Sequence, residues 1–398
     1  MNRSTAFGAG VVIGYSATKV LTSFELDYEA CQMNVAEVTK FIKGDTMETI
    51  AQFDAEELRE LSGSNMYYAH RVDLQAGLVN LATRSEGRGV PVKIQYNAEV
   101  VLYDPDVGTV TLEDGSMHGA DLIIAADGVH SLAPGYLDNP DSLQLSHTGT
   151  TIIRFMLSSE DIQSDLITKH LAEIPGQFTF YIGPDRQRWL LQYPVRNNTE
   201  QNFGMYSLTN KDTAEDQALR FNGDRDSLRR ELEGFHETIK GLSSKTSNIL
   251  PIWKLVERPP LPTWRRGRLV LIGDAAHPML PNQGMGAGSA IEDSGALGVI
   301  FSRMSSNTSE EAVEERLAVF ERVRKGRASV IQLISHCPYF EDGVKIMWQE
   351  LIKHMPAEKL PVSTGARTRD WLFSYDVLKD SQRALDEYLE VDASRPRL

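Results

Sequence analysis

The sequence predicts an α/β fold in which a parallel-sheet domain is interrupted by an inserted antiparallel sheet and followed by helices. Three observations predict it. Two short apolar runs, at residues 121–128 and 269–272, close on Asp127-Gly128 and Gly273-Asp274, the pattern of strands buried on both faces. The second run leads into a glycine-rich loop and an apolar-periodic helix. Between the runs lie β-prone segments punctuated by prolines, the texture of an antiparallel sheet.

Taken in order, residues 98–102 and 109–112 read as strands of a meander, with turns at Asp104, Pro105 and Gly108 and at Asp114-Gly115. The meander runs into 121–128. Strands at 150–156, 178–182 and 188–193, broken by Pro184 and Pro194, make the inserted sheet. After 269–272 come Gly273-Asp274, Pro278 and the loop 281–288, then a helix from about residue 289 to Ile300. Thr308-Ser309-Glu310-Glu311 has the spacing of a capping box, and Val313, Leu317, Phe320 and Val323 recur at helical intervals. The remaining C-terminal part reads as helical.

Composition narrows the function. The chain has 398 residues, with 41 Lys plus Arg against 55 Asp plus Glu and a formal charge of −14. At about 150 residues per domain this is two to three domains, enough to bury a core without disulfides or metals. The acidic balance argues against nucleic acid or an anionic membrane surface as main partner. Two cysteines, Cys31 and Cys337, exclude a disulfide framework and fit a reducing compartment. No apolar run approaches the roughly 18 residues of a membrane span, and the N-terminus lacks a signal-peptide core, so a cytoplasmic protein without membrane insertion is expected. The histidines show no HExxH spacing and there is no Cys-x-x-Cys, so no metal site is expected.

The turn after 269–272 carries the chemistry. A carboxylate at a strand end, Asp274, can accept hydrogen bonds from a sugar-alcohol hydroxyl, while Gly286, Ala287 and Gly288 let backbone amides approach a flat ring. The helix N-terminus that follows favours negative charge. Together these suit a flavin, whose ribityl chain needs an acceptor and whose N1/C2 edge gains negative charge on reduction. The plainer alternative is a glycine-rich surface loop.

Residues 267–278, with Gly273-Asp274-Ala275-Ala276-His277-Pro278, continuing through Gly284-Met285-Gly286-Ala287 to Ile291-Glu292-Asp293, resemble the second FAD motif of flavin-dependent aromatic hydroxylases of the salicylate hydroxylase type. Residues 121–131 are similar to their Asp-Gly motif. Tyr68-Ala69-His70-Arg71-Val72-Asp73-Leu74 resembles their His-Arg-x-Asp-Leu segment, and Gly8-Ala9-Gly10 with Ser16-Ala17-Thr18 resembles a loop soon after their second strand.

The resemblance implies a Rossmann-like FAD-binding domain at 1–145 and 261–330, a substrate-binding sheet at 146–260 and a C-terminal helical region at 331–398. It implies a monooxygenase that uses FAD, NAD(P)H and O2 to hydroxylate or epoxidise an aromatic or other electron-rich apolar small molecule. Asp274 would bind the ribityl chain, Gly286 and Ala287 would touch the ring, and Gly10 would lie against the cofactor. Arg71 would meet the FAD phosphates or ribityl, or else form a helix-start salt bridge. Asp127 would serve FAD and the nicotinamide, or simply end a strand. Arg154 aligns with a family arginine near the active site and is the catalytic candidate, with a surface cation as the alternative. His277 reads as structural. Tyr181, Trp189 and Tyr193 would wall a water-poor pocket or belong to the core.

Two departures stand out. The family opens with a strand, Gly-x-Gly-x-x-Gly and helix unit of about 30 residues that grips the ADP part of FAD. This chain is expected to start after that unit, which would leave the domain N-terminally incomplete and a sheet edge exposed. Pro134 also stands where the Asp-Gly motif usually ends in Arg. The rival reading is a truncated, FAD-deficient relative acting as a non-catalytic binding protein.

Overall fold

A computed structural model describes residues 9–87, 89–137, 144–208, 219–304, 309–337, 342–362 and 365–393. The chain divides into two units, one of Met1–Thr18, Phe24–Val92 and Ser146–Val256, the other of Lys19–Ser23, Lys93–Leu145 and Glu257–Leu398.

In the first unit the β-prone middle of the sequence builds an eight-stranded sheet. Its strands lie in the order Arg220–Gly223, Leu250–Glu257, Ser146–Ser158, Glu200–Leu208, Arg188–Val195, Gln177–Ile182, Val38–Lys43, Thr49–Asp54. The antiparallel ladder from Thr150↔Leu208 to Ser158↔Glu200 is its spine. The hairpin Val38–Lys43 and Thr49–Asp54 was not anticipated from its local sequence. It joins by parallel pairing with Gln177–Ile182. Pro194 does not break its strand as expected: it pairs opposite Gln201, and the ladder on its other side runs only as far as Gln192, so the missing N–H costs no bond there.

Alternation of period two sorts the side chains of this sheet. Ile153, Phe155, Leu190, Phe203 and Met205 point to one face and are buried against Leu228, Leu232, Ile239 and Leu242 of the following helical segment. Each such side chain contributes about 1.5–3 kcal/mol by leaving water. Tyr181 belongs to this core and donates to Gln192 Oε1 at 3.1 Å. Trp189 and Tyr193 are on the opposite face because Tyr181 registers with Leu190. The three aromatics therefore do not form one wall. A second sheet places Tyr67–His70 between Gly10–Ile13 and Asn34–Val35, and the helix Arg71–Thr83 follows directly.

In the second unit, Leu269–Leu271 pairs in parallel with Ile123–Ala125 and antiparallel with Arg265–Arg266. Leu269, Val270 and Leu271 are fully buried, as the apolar run predicts. The other run is a correction: it yields a strand of three residues whose Ile124 is 45% exposed. It lies at the edge of this sheet, where only one flank is paired. The meander forms as Val100–Asp104, Thr109–Leu112 and Met117–Gly119.

Helices Gly286–Ile300, Glu310–Ile334, Gly343–Leu351, Gly365–Phe373 and Val377–Ala393 complete the unit. The first starts three residues earlier than predicted, so Gly286 and Ala287 are helical. The second is capped by Ser309, whose hydroxyl accepts from the Ala312 N–H; Thr308, the first residue of the capping-box spacing, lies outside the described residues. Among the described residues no helix is long and apolar enough to cross a membrane.

Candidate active site

Parallel pairing sets Ala125 beside Leu271, and the Ile272 N–H donates to the Ala125 carbonyl at 3.0 Å. Asp127 and Asp274 consequently stand just past the carboxyl ends of two adjacent parallel strands, where open α/β sheets bind ligands. Both are exposed. The Tyr103 hydroxyl donates to Asp127 Oδ2 at 3.0 Å. Burial, reinforced by that carboxylate's charge, pushes the phenol well above its ordinary range, so it remains a donor.

The turn that presents Asp274 is anchored from below. Gly273 adopts φ +57°, a conformation that strains any side chain, and its N–H donates to Asp293 Oδ2 at 3.0 Å. Past the turn, the helix Gly286–Ile300 begins at Met285 without a side-chain cap, and its first turn carries no acidic residue. A Cβ added to Gly286 would meet only the Met279 Cβ, at 4.0 Å. Uncapped amides beside open space fit the carbonyl edge of a flat, electron-accepting ring such as a flavin.

Asp293 sits in a buried charge network. His277 Nε2 lies 2.6 Å from its Oδ2, and Arg324 Nε donates to its Oδ1 at 2.9 Å. Arg324 Nη1 is 2.8 Å from Glu292 Oε2, and Arg327 Nε is 3.5 Å from the same oxygen. Burial pushes the Asp293 carboxyl up, but His277, Arg324 and the Gly273 N–H together outweigh it and hold the group below its ordinary value. His277 commits its Nε2 to this carboxylate, a structural role.

In the first unit, Gly10 donates its N–H to Asn202 Oδ1 at 2.7 Å. A Cβ at Gly10 would fall 2.4 Å from Tyr193 Cε2, so the tyrosine ring requires glycine there. Arg71 is the exposed first residue of its helix and makes no side-chain hydrogen bond or ion pair among the described residues. The helix-start ion pair belongs instead to Asp73, which Arg196 grips through Nε at 2.7 Å and Nη2 at 3.1 Å. Arg154, half-buried on Ser146–Ser158, is likewise without such a bond among the described residues. Burial pushes the Tyr206 phenol up to about 12 and Tyr193 higher still, while Arg154 pulls both the other way and Arg71 also acts on Tyr193.

The predicted residues thus fall into two groups. Asp127, Asp274, Gly286 and Ala287 share the second unit; Gly10, Arg71 and Arg154 gather about Tyr193 in the first. Sequence reasoning missed Tyr103, Asn202 and Arg196, whose partners are far away in the chain. It also missed the arginines of Glu310–Ile334, although their spacing with Val313 and Leu317 placed them near the apolar stripe.

Comparison with known proteins adds independent findings. A family model described as FAD binding domain matches residues 34–332. The chain is 36% identical over 383 residues to FAD-dependent monooxygenase phomE' of Diaporthe leptostromiformis, covering 95% of this chain and 93% of that one. It is 31% identical to a 6-hydroxynicotinate 3-monooxygenase of Bordetella bronchiseptica over 79% of this chain and 71% of that one. Among solved structures, a salicylate hydroxylase substrate complex has the same fold, with a TM-score of 0.71 at 23% identity, covering 94% of this chain and 90% of that one.

Proposed function

The chain belongs to the FAD-dependent monooxygenases of the FAD binding domain family, and from that premise we propose that it oxidises NAD(P)H and places one atom of O2 on an aromatic or other electron-rich apolar small molecule. The observation that carries this reading is the pair Asp127 and Asp274 at adjacent strand ends, followed by the uncapped helix start at Gly286. FAD, when bound, supplies the redox chemistry: it takes a hydride and activates O2.

Each residue then has a task. Asp274 accepts a hydrogen bond from a ribityl hydroxyl, and the Gly273–Asp293 bond keeps it in place. The amides of Gly286 and Ala287, with the helix dipole behind them, stabilise negative charge on the ring's carbonyl edge. Asp127, oriented by Tyr103, serves FAD and the nicotinamide. Arg71 offers its cation to the FAD phosphates or ribityl, and Gly10 lies close to the cofactor. Residues 146–260 supply the substrate sheet, where Arg154 contacts the substrate and Trp189, on the same face as Tyr193, helps exclude water. Residues 1–145 and 261–330 serve FAD, and 331–398 form the helical region.

The test is a turnover with isotopically labelled O2 across a panel of hydroxylated aromatics. One labelled oxygen in the organic product per NAD(P)H consumed is expected. NAD(P)H consumption that yields only H2O2 with every compound would overturn the reading.

A further inference from the structure

Arg258 is 2% exposed, yet no carboxylate among the described residues pairs with it. The neighbouring Glu257 is engaged by His336 Nε2 at 2.6 Å. The guanidinium is held instead by two backbone carbonyls: Nη1 donates to Ala275 O at 3.1 Å and Nη2 to Val129 O at 2.9 Å. Among the described residues its Nε has no hydrogen-bond partner. The Arg258 carbonyl accepts from Gln332 Nε2 at 2.7 Å, which ties this residue to the long helix Glu310–Ile334.

Burying a cation without a counter-ion is unfavourable. Two carbonyls could be bridged by a neutral amide at far lower cost, so packing alone does not account for a charge here. The positions of the two carbonyls do. Val129 follows Asp127 by two residues and Ala275 directly follows Asp274. A planar fork can span two acceptors at once, which a lysine ammonium on a single stem does not reproduce.

We propose that Arg258 is a positioning residue: it locks the Asp127 loop to the Asp274 turn, and its uncompensated charge favours the reduced, more negative state of the FAD those loops hold. This rests on the assignment of Asp127 and Asp274 to FAD. Positive charge in a poorly solvated interior acts over longer distances than at the surface, so direct contact with the cofactor is not required.

The test compares Arg258→Gln and Arg258→Lys with the parent protein in three readouts. These are FAD affinity by fluorescence titration, the midpoint potential of bound FAD, and hydrogen exchange of residues 127–131 and 273–277 with and without FAD. For Arg258→Gln the expected result is roughly tenfold weaker FAD binding, a more negative potential, and faster exchange confined to the two loops. Arg258→Lys keeps the potential but loses affinity and loop protection. Unchanged affinity and potential in a folded Arg258→Gln protein would overturn the proposal. So would an Arg258→Lys protein with parental affinity and exchange, because charge alone would then suffice. If the glutamine variant does not fold, the lysine variant decides. Exchange in FAD-free protein tests the lock even if Asp274→Ala leaves FAD affinity intact, an outcome that would refute the site assignment instead.

Discussion

Nη2 of Arg196 lies 3.2 Å from Nδ1 of His70, and because a guanidinium can only donate, that ring nitrogen must accept. This arrangement favours the neutral ring. Burial first, and Arg196 second, pull its pKa below the ordinary value of 6.5, against the opposing pull of Asp73. The same guanidinium holds the Asp73 carboxyl below 3.8, chiefly by hydrogen bonding. One arginine thus acts on the protonation of two neighbours, as the chief cause at Asp73 and second to burial at His70, at the start of the helix that presents Arg71.

The sign of the pH effect follows. With the native His70 pKa lowered, the unfolded chain binds the extra proton first, so this contribution is complete above pH 6.5 and is lost as pH falls toward the native value. Denaturant unfolding at roughly pH 7.5 and 5.5 is expected to show lower stability at the acid end, with a smaller difference in His70→Gln. Equal pH dependence in both proteins would exclude His70 as the source. The Asp73 contribution is lost only at pH below 3.8.

Gly10→Ala places a methyl group 2.4 Å from the Tyr193 ring. We expect a loss of about 1–3 kcal/mol from overpacking, measured by denaturant titration. Gly10→Ala with Tyr193→Leu should recover part of it, because the obstructing ring is gone.

Asp293→Ala strands buried Arg324 beside Glu292 and frees the Gly273 turn. Breaking a buried ion network of this kind costs about 3–5 kcal/mol. The thermal midpoint should fall accordingly, and FAD affinity should fall more than in His277→Gln, which leaves the Asp293–Gly273 and Asp293–Arg324 bonds intact.

Arg154→Met tests the substrate face. With an accepted substrate that carries a carboxylate or phenolate, KM is expected to rise roughly tenfold, the scale of one charge-assisted hydrogen bond, with a smaller change for a neutral analogue. Identical KM for both substrates before and after the change would place Arg154 outside the substrate contacts.

Much of this was legible in the chain because it depends on local pattern. The buried strand Leu269–Leu271, the Gly-Asp turn and the helix after the glycine-rich loop follow from apolar runs and turn residues a few positions apart. Three features depend on distant partners and were not legible. Val38–Lys43 pairs with Gln177–Ile182 in parallel, which no short-range signal specifies. Ile124 is exposed because of its edge position, whereas the run around it reads as fully buried. Arg324 and Arg327 fall near the apolar stripe of their helix by spacing, but nothing local shows their partners: Glu292 and Asp293 hold Arg324 in the core, and the Trp371 and Leu372 carbonyls together with Glu292 hold Arg327.

The central claim is that Asp274 and the first turn of Gly286–Ile300 hold FAD. The most direct measurement is the visible absorption of the purified chain and of Asp274→Ala after incubation with FAD and removal of the excess. A flavin band near one FAD per chain, markedly reduced in a variant whose circular dichroism is unchanged, is the predicted result. Equal flavin in both proteins would contradict it.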